Sequence, residues 1–206
     1  MPQPKKRDSK VGFVTDPFRM RRVWYESGLE ESVAYFLLAK PETLELREQQ
    51  KVQFFQNGQR RTCWIDFIQR QSGGRIAYAV KHKVDVDEDL RETLRLVCEQ
   101  IGDRIAEEFR IFTEKDLTLT QIENAKDIVA YAADYDFEAQ TIVAAALPKL
   151  PARISLHAIA QASGLGERGW RAAVTLIQKG LLVVPANVRL GDQAILVNHG
   201  ANERRR

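Results

Sequence analysis

Residues 61–84, RTCWIDFIQRQSGGRIAYAVKHKV, hold two apolar runs of strand length separated by QSGG. Each run carries a single charge where packing alone would favour hydrocarbon: Asp66 at the centre of CWIDFI and Lys81 at the end of AYAVK. β-branched and aromatic residues bounded by glycine and polar clusters read as antiparallel strands. Upstream, TLELREQQKVQFF alternates apolar and polar side chains up to Asn57-Gly58, the strongest short hairpin signal. Before it, residues 26–38 place Leu29, Val33, Phe36 and Leu37 at helical spacing, with Ser27 available as a cap and Pro41 beyond the end. After Lys81, residues 87–108 put Leu90, Leu94, Val97, Ile101 and Ile105 on one face, an amphipathic helix leading into the short strand FRIFT. Strand, helix and strand in that order make a crossover with parallel pairing. The expected fold class is therefore α/β, a mixed sheet flanked by helices.

From residue 118 the strand signal stops. Four helical segments follow, within residues 120–134, 137–150, 155–164 and 166–180, and then LLVVPANVRLGDQAILVN alternates about two turns. Short helices followed by a two-stranded ribbon is the order of a winged helix-turn-helix. In that reading 154–163 is the first helix of the motif, Gly164 lies in the turn, 167–179 is the recognition helix and 181–197 the wing. The domain organisation expected is a basic arm at 1–22, an α/β domain at 23–117, a helical winged-helix domain at 118–198 and a basic tail at 199–206. The sequence has no internal repeat.

The chain has 206 residues, 44% hydrophobic and 29% charged, an ordinary globular composition that excludes a disordered or fibrous class. No run of eighteen apolar residues exists, and the basic start MPQPKKRDSK has no apolar segment behind it, so a cytoplasmic protein is expected. Cys63 and Cys98 are too few for a disulfide framework or zinc site and are expected to be buried thiols. The net charge of +3 is unevenly spread. Residues 1–22 carry Lys5, Lys6, Arg7, Lys10, Arg19, Arg21 and Arg22 against Asp8 and Asp16, while residues 23–136 sum to −7. A polyanion such as double-stranded DNA would be held by the arm, the tail and the second half rather than by the acidic α/β domain. On the candidate recognition helix Arg168 and Arg171 share a face at i, i+3, and Trp170, Val174 and Ile177 form the expected buried side.

An unpaired carboxylate inside CWIDFI would be costly, and Asp66 and Lys81 can meet across the hairpin. One reading is a cross-strand ion pair. The other is chemical: Asp66 binds a divalent cation through oxygen, Lys81 orients or activates an attacking water, and Glu30 on the first helix completes the acidic side. His82 faces away from Lys81 on an alternating strand. Glu48 and Gln49 are expected to be structural, satisfying backbone at the start of the sheet, with Gln49 also an outside candidate for reaching the metal. Trp24 and Tyr25 are expected to staple the arm to the domain rather than to stack on bases. His157 and His199 show no partner pattern.

The order SGLEESVAYFL, LELREQ, IDFIQR, YAVK, an amphipathic helix and FRIFTEKDL resembles the TnsA endonucleases of cut-and-paste transposons, within the PD-(D/E)XK restriction-endonuclease-like superfamily. It spans roughly residues 20–120, and the winged-helix-like second half fits the two-domain layout. The resemblance implies Glu30, Asp66 and Lys81 as catalytic residues and Asp66, Glu30 and the backbone of Val80 as ligands of Mg²⁺ or Mn²⁺. It also implies a DDE-type transposase and an AAA+ ATPase as partners. In the family the residue two before the lysine is Glu or Gln; here it is Ala79. Three explanations stand open: a weakened metal site, a carboxylate displaced onto the next helix at Asp87 or Glu92, and an engineered silencing. The expected function is a metal-dependent DNA endonuclease acting on mobile-element DNA. The competing expectations are a non-catalytic DNA-binding or adaptor protein of such a complex, and an assembly protein that makes only protein contacts.

Overall fold

A computed structural model describes residues 10–201 of the chain. They divide into two compact units, residues 10–37 with 42–118 and residues 38–41 with 119–201, which sets the boundary at 118/119, beside the expected 117/118.

The first unit contains β1 (Gly12–Asp16), β2 (Arg21–Tyr25), α1 (Gly28–Leu38, whose last residue is grouped with the second unit), β3 (Glu45–Gln56), β4 (Gln59–Gln71), β5 (Gly74–Val80), α2 (Glu88–Ile105) and β6 (Glu108–Phe112). β3 to β6 form one sheet in that order, antiparallel except for the parallel β5–β6 pair, so the mixed sheet and the crossover through α2 are both present. Asn57 and Gly58 both have positive φ, the backbone that a tight hairpin turn demands. α2 starts at Asp87, whose carboxylate accepts from Leu90 N at 2.8 Å. Its Leu94 and Val97 pack on Val52, Phe54, Ile65, Ile68, Ala77 and Ala79. Around Tyr78, Phe112 lies 5.9 Å from its ring and 6.0 Å from that of Phe36 on α1. The Tyr78 hydroxyl donates to the fully buried Gln69, whose amide donates to Thr43.

The basic arm needs correction. Residues 12–25 are not an appendage but the β1–β2 hairpin. Its turn is tied by Asp16, completely buried, which accepts from Phe18 N at 3.0 Å and from Arg19. Arg19 also donates to the carbonyls of Thr43 and Leu44, and Arg21 to the Leu46 carbonyl and Glu48. These guanidiniums fasten the hairpin to the start of β3, so the charge read from sequence as a DNA-binding arm is in part internal scaffolding. Glu48, accepting from Arg21, has the structural role expected of it. Lys5, Lys6 and Arg7 lie outside the described residues.

The second unit contains α3 (Leu119–Ala132), α4 (Phe137–Ala146), β7 (Arg153–Ser155), α5 (Leu156–Ser163), α6 (Glu167–Gln178), β8 (Leu182–Val183) and β9 (Ile195–Asn198). The strands pair antiparallel in the order β7-β9-β8. The expected helix at 154–163 begins later, because Ile154 and Ser155 pair with β9 before Ser155 turns to cap α5 through Ala158 N. α5 ends at Gly164 in the left-handed region. α6 is the central helix, packed against α3, α4, α5 and β8, with Val174 and Ile177 buried as expected and Trp170 half-buried. No helix of the described residues is long and apolar enough to cross a membrane.

Candidate functional site

The β4–β5 ladder runs from Gln71 and Gly74 to Phe67 and Tyr78 and stops there. One residue further along β4 the β3–β4 ladder also has a gap: Glu48 pairs with Phe67 and Gln50 with Ile65, but Gln49 and Asp66 between them do not pair. Gln49 has φ of +51°, a left-handed backbone inside a strand. The gap changes which way the strand faces. Ile65 and Ile68 are three residues apart and would lie on opposite faces of a regular strand, yet both pack in the α2 cluster. Asp66 occupies the irregular step.

Past the end of the ladder the Val80 N–H has no strand partner, and Asp66 takes it: Oδ2 accepts from Val80 N at 2.7 Å. Lys81 Nζ lies 3.4 Å from the same oxygen, so the two charges meet across the strands, the contact on which the ion-pair reading rests. Among the described residues no hydrogen bond reaches Oδ1 of Asp66. Burial pushes the Asp66 carboxyl above its ordinary pKa, against the pull of Lys81 and the Val80 N–H.

Glu30 is buried on the first turn of α1. Ser27 caps the start of α1 and bonds Glu30 twice: Glu30 N donates to Ser27 Oγ at 3.1 Å, and the Ser27 hydroxyl donates to Glu30 Oε1 at 3.1 Å. Oε2 accepts from Glu26 N at 2.8 Å and from the Gln49 amide at 3.3 Å. Burial raises the pKa of Glu30, opposed by the Glu26 N–H and reinforced by repulsion from Asp66, while Lys81 lowers it. Glu30, Asp66 and Lys81 are thus in one electrostatic group, with Gln49 joining Glu30 to the gap in the sheet. In the sequence Ser27 stood out as a cap, while Gln49 was no more than an outside candidate for the site.

The chain matches no family model and no curated protein.

The other expected site residues are placed elsewhere. Ala79 is 3% exposed and belongs to the apolar α2 cluster, so no vacant ligand position opens at its side chain. Neither candidate for a displaced carboxylate joins Asp66: Asp87 caps α2 and Glu92 pairs with Arg95 at 2.8 Å. His82 is exposed and lies 3.5 Å from Glu114. Lys10 pairs with Glu31 at 2.6 Å, and Arg22 stacks over Phe13 at 4.5 Å. Trp24 is half exposed against Phe13, while Tyr25 is buried and donates to Glu31. Cys63 is half-buried and burial pushes its thiol up to about 11. Cys98 is exposed, contrary to expectation, because it sits one position off the Leu94–Val97–Ile101 stripe of α2.

On α6 both arginines are occupied. Arg168 bonds Asp136 at 2.8 Å and Glu138 at 2.7 Å; Arg171 bonds Asp134 at 2.5 Å and Glu167 at 2.8 Å. Four carboxylates thus surround two guanidiniums, and the face expected to meet phosphate is locally acidic.

Among the described residues no three of His, Cys, Asp and Glu come together as a metal-ligand group. The donor set at the gap is all oxygen, and Oδ1 of buried Asp66 is open. That fits a hard cation that keeps most of its water, such as Mg²⁺ or Mn²⁺.

Proposed function

We propose that the first unit is a restriction-endonuclease-like domain of TnsA type and that the protein is a metal-dependent DNA endonuclease acting on mobile-element DNA. The observation that carries this reading is the pair of buried carboxylates, Asp66 and Glu30, gathered with Lys81 at the step where the β3–β4 and β4–β5 ladders both break. Asp66 through Oδ1, the Val80 carbonyl and Glu30 are the oxygens that would hold Mg²⁺ or Mn²⁺. The cation, when bound, supplies Lewis-acid activation of water and charge neutralisation at a phosphodiester.

The chain's own residues have distinct parts in that chemistry. Lys81, 42% exposed, can turn from Asp66 to a phosphate oxygen and stabilise charge developing on it. The Val80 N–H holds Oδ2 of the Asp66 carboxylate and leaves Oδ1 for a cation. Glu30 adds negative potential from a position held by the α1 cap and by Gln49. With Ala79 packed among apolar side chains, the ligand set is one side chain poorer than the family pattern, and a slow enzyme with weak metal affinity is the expected phenotype.

The second unit, with its order of helices and a three-stranded antiparallel sheet, reads as a winged-helix-like module. The carboxylates around Arg168 and Arg171 favour protein docking by this unit over DNA recognition, with an AAA+ ATPase and a DDE-type transposase as the partners the resemblance implies. In a non-catalytic adaptor the same fold would persist without turnover.

The test is Mn²⁺ binding followed by EPR, beside nicking of supercoiled DNA in Mn²⁺. Wild type should bind one or two ions and nick; Asp66→Asn should lose both, and Lys81→Ala should bind Mn²⁺ but not nick. Mn²⁺ affinity unaffected by Asp66→Asn would refute the site.

A further inference from the structure

The part of the β3–β4 hairpin beyond the gap has an outer face that no role above uses. Three cross-strand pairs follow one another along it: Lys51 with Trp64, Gln53 with Thr62, and Phe55 with Arg60. All six are exposed, Trp64 at 54% and Phe55 at 59%. This is not a loose hairpin. Its inner side buries Val52, Phe54 and Ile65 against α2, and Gln100 of α2 clamps the Phe55 backbone, accepting from its N–H at 2.8 Å and donating to its carbonyl at 2.7 Å. Two large rings are therefore held in water by a rigid scaffold, although burying either would stabilise the fold.

The charge around them is of one sign. Between Glu48 and Asp66 there is no acidic residue, while Lys51, Arg60 and Arg61 are basic, within a stretch, residues 23–136, that is −7 overall. The Lys51 ammonium lies 5.9 Å from the centre of the Trp64 ring, and Arg60 bonds the side chain of Gln53. β4 then runs from Trp64 to Asp66 in two residues.

We propose that this face binds an unpaired strand of DNA, with bases stacking on Trp64 and Phe55 and phosphates meeting Lys51 and Arg60. A ring can reach the face of a base only when that base is unstacked, so exposed aromatics on a sheet select single strands over duplex. The two rings are four residues apart along the ribbon and one strand apart across it, about 14 Å. Successive stacked bases are about 3.4 Å apart. The rings thus hold two separate bases of an extended strand. The choice of DNA rests on the endonuclease reading, since a frayed or nicked end beside Asp66 is an unpaired strand; the stacking face itself does not.

The test is fluorescence anisotropy of labelled oligo-dT and of a duplex of equal length, in EDTA, with the full chain across a salt series. Working without metal keeps the result independent of whether the protein cleaves. Phe55→Ala with Trp64→Ala should weaken oligo-dT binding about tenfold or more and duplex binding much less. Phe55→Leu with Trp64→Leu, which keeps apolar bulk, should behave the same way, and circular dichroism of both confirms the fold. Lys51→Ala with Arg60→Ala should flatten the salt dependence. Oligo-dT affinity unchanged in the leucine pair, equal losses for duplex and single strand, or no affinity of wild type for oligo-dT at low salt would each overturn the proposal.

Discussion

Replacing Asp66 by alanine and by asparagine separates what this side chain does for the fold from what its charge does. In Asp66→Ala the Val80 N–H, on a residue 3% exposed, loses its acceptor. An orphaned buried donor costs about 1–3 kcal/mol. The ion pair with Lys81 adds at most about 1 kcal/mol once discounted for the exposure of the lysine. Against these stands relief of a desolvated carboxylate whose pKa burial has already raised. The net expectation is a loss of about 1–3 kcal/mol for Asp66→Ala. Asp66→Asn keeps an oxygen for Val80 and removes the desolvated charge, so its stability should lie within about 1 kcal/mol of wild type. Urea unfolding in EDTA measures both. Trp24 and Trp64 report the first unit if Trp170 in the second is replaced by Phe, which also avoids treating two units as one transition. Asparagine as damaging as alanine would refute the claim that Asp66 completes the sheet through Val80.

Other residues give shorter tests. Gln49→Val should destabilise by about 1–3 kcal/mol, because a β-branched residue resists the left-handed backbone, whereas Gln49→Gly should be nearly neutral, trading backbone relief for the amide contact with Glu30; the same urea titration reads both. Ala79→Gln should cost about 1–3 kcal/mol by placing an unpaired amide in the α2 cluster, and a neutral result would mean the amide reaches the Asp66 site instead. Arg168 holds the Asp136 carboxyl down to about 2. A depressed folded-state pKa adds stability that is complete above the ordinary carboxylate value and lost as pH falls towards about 2. NMR titration of Asp136 should therefore move up towards the usual carboxylate range in Arg168→Ala, the Ala139 N–H still holding it down in part, and an unchanged midpoint would break the assignment.

The sheet was readable because its signals are local and strong: Asn57-Gly58 fixes one turn, QSGG the next, and the apolar stripe of α2 the crossover. The β1–β2 hairpin was missed because its strands are short and charged, and the arginines that bind carbonyls of β3 look, in sequence, the same as arginines that bind phosphate. Asp66 and Lys81 were visible as charges out of place. The role of Gln49 was not, because a positive φ inside a strand has no residue signature when the residue is not glycine. The pairing of Arg168 and Arg171 with Asp134 and Asp136 also escaped, since those acids lie in the connection between α3 and α4, more than thirty residues away, and meet them only through tertiary packing.

The gap at Gln49 and Asp66 has a consequence for what position 66 must supply. It lets one long hairpin turn its apolar side chains to α2 along both halves of its length, so the irregular step is needed by the core irrespective of any reaction. Stability alone therefore asks for a hydrogen-bond acceptor at position 66, whatever else the side chain does. The Oδ2 that meets the Val80 N–H thus belongs to the architecture, while Oδ1, which no hydrogen bond reaches among the described residues, is the atom the fold leaves uncommitted.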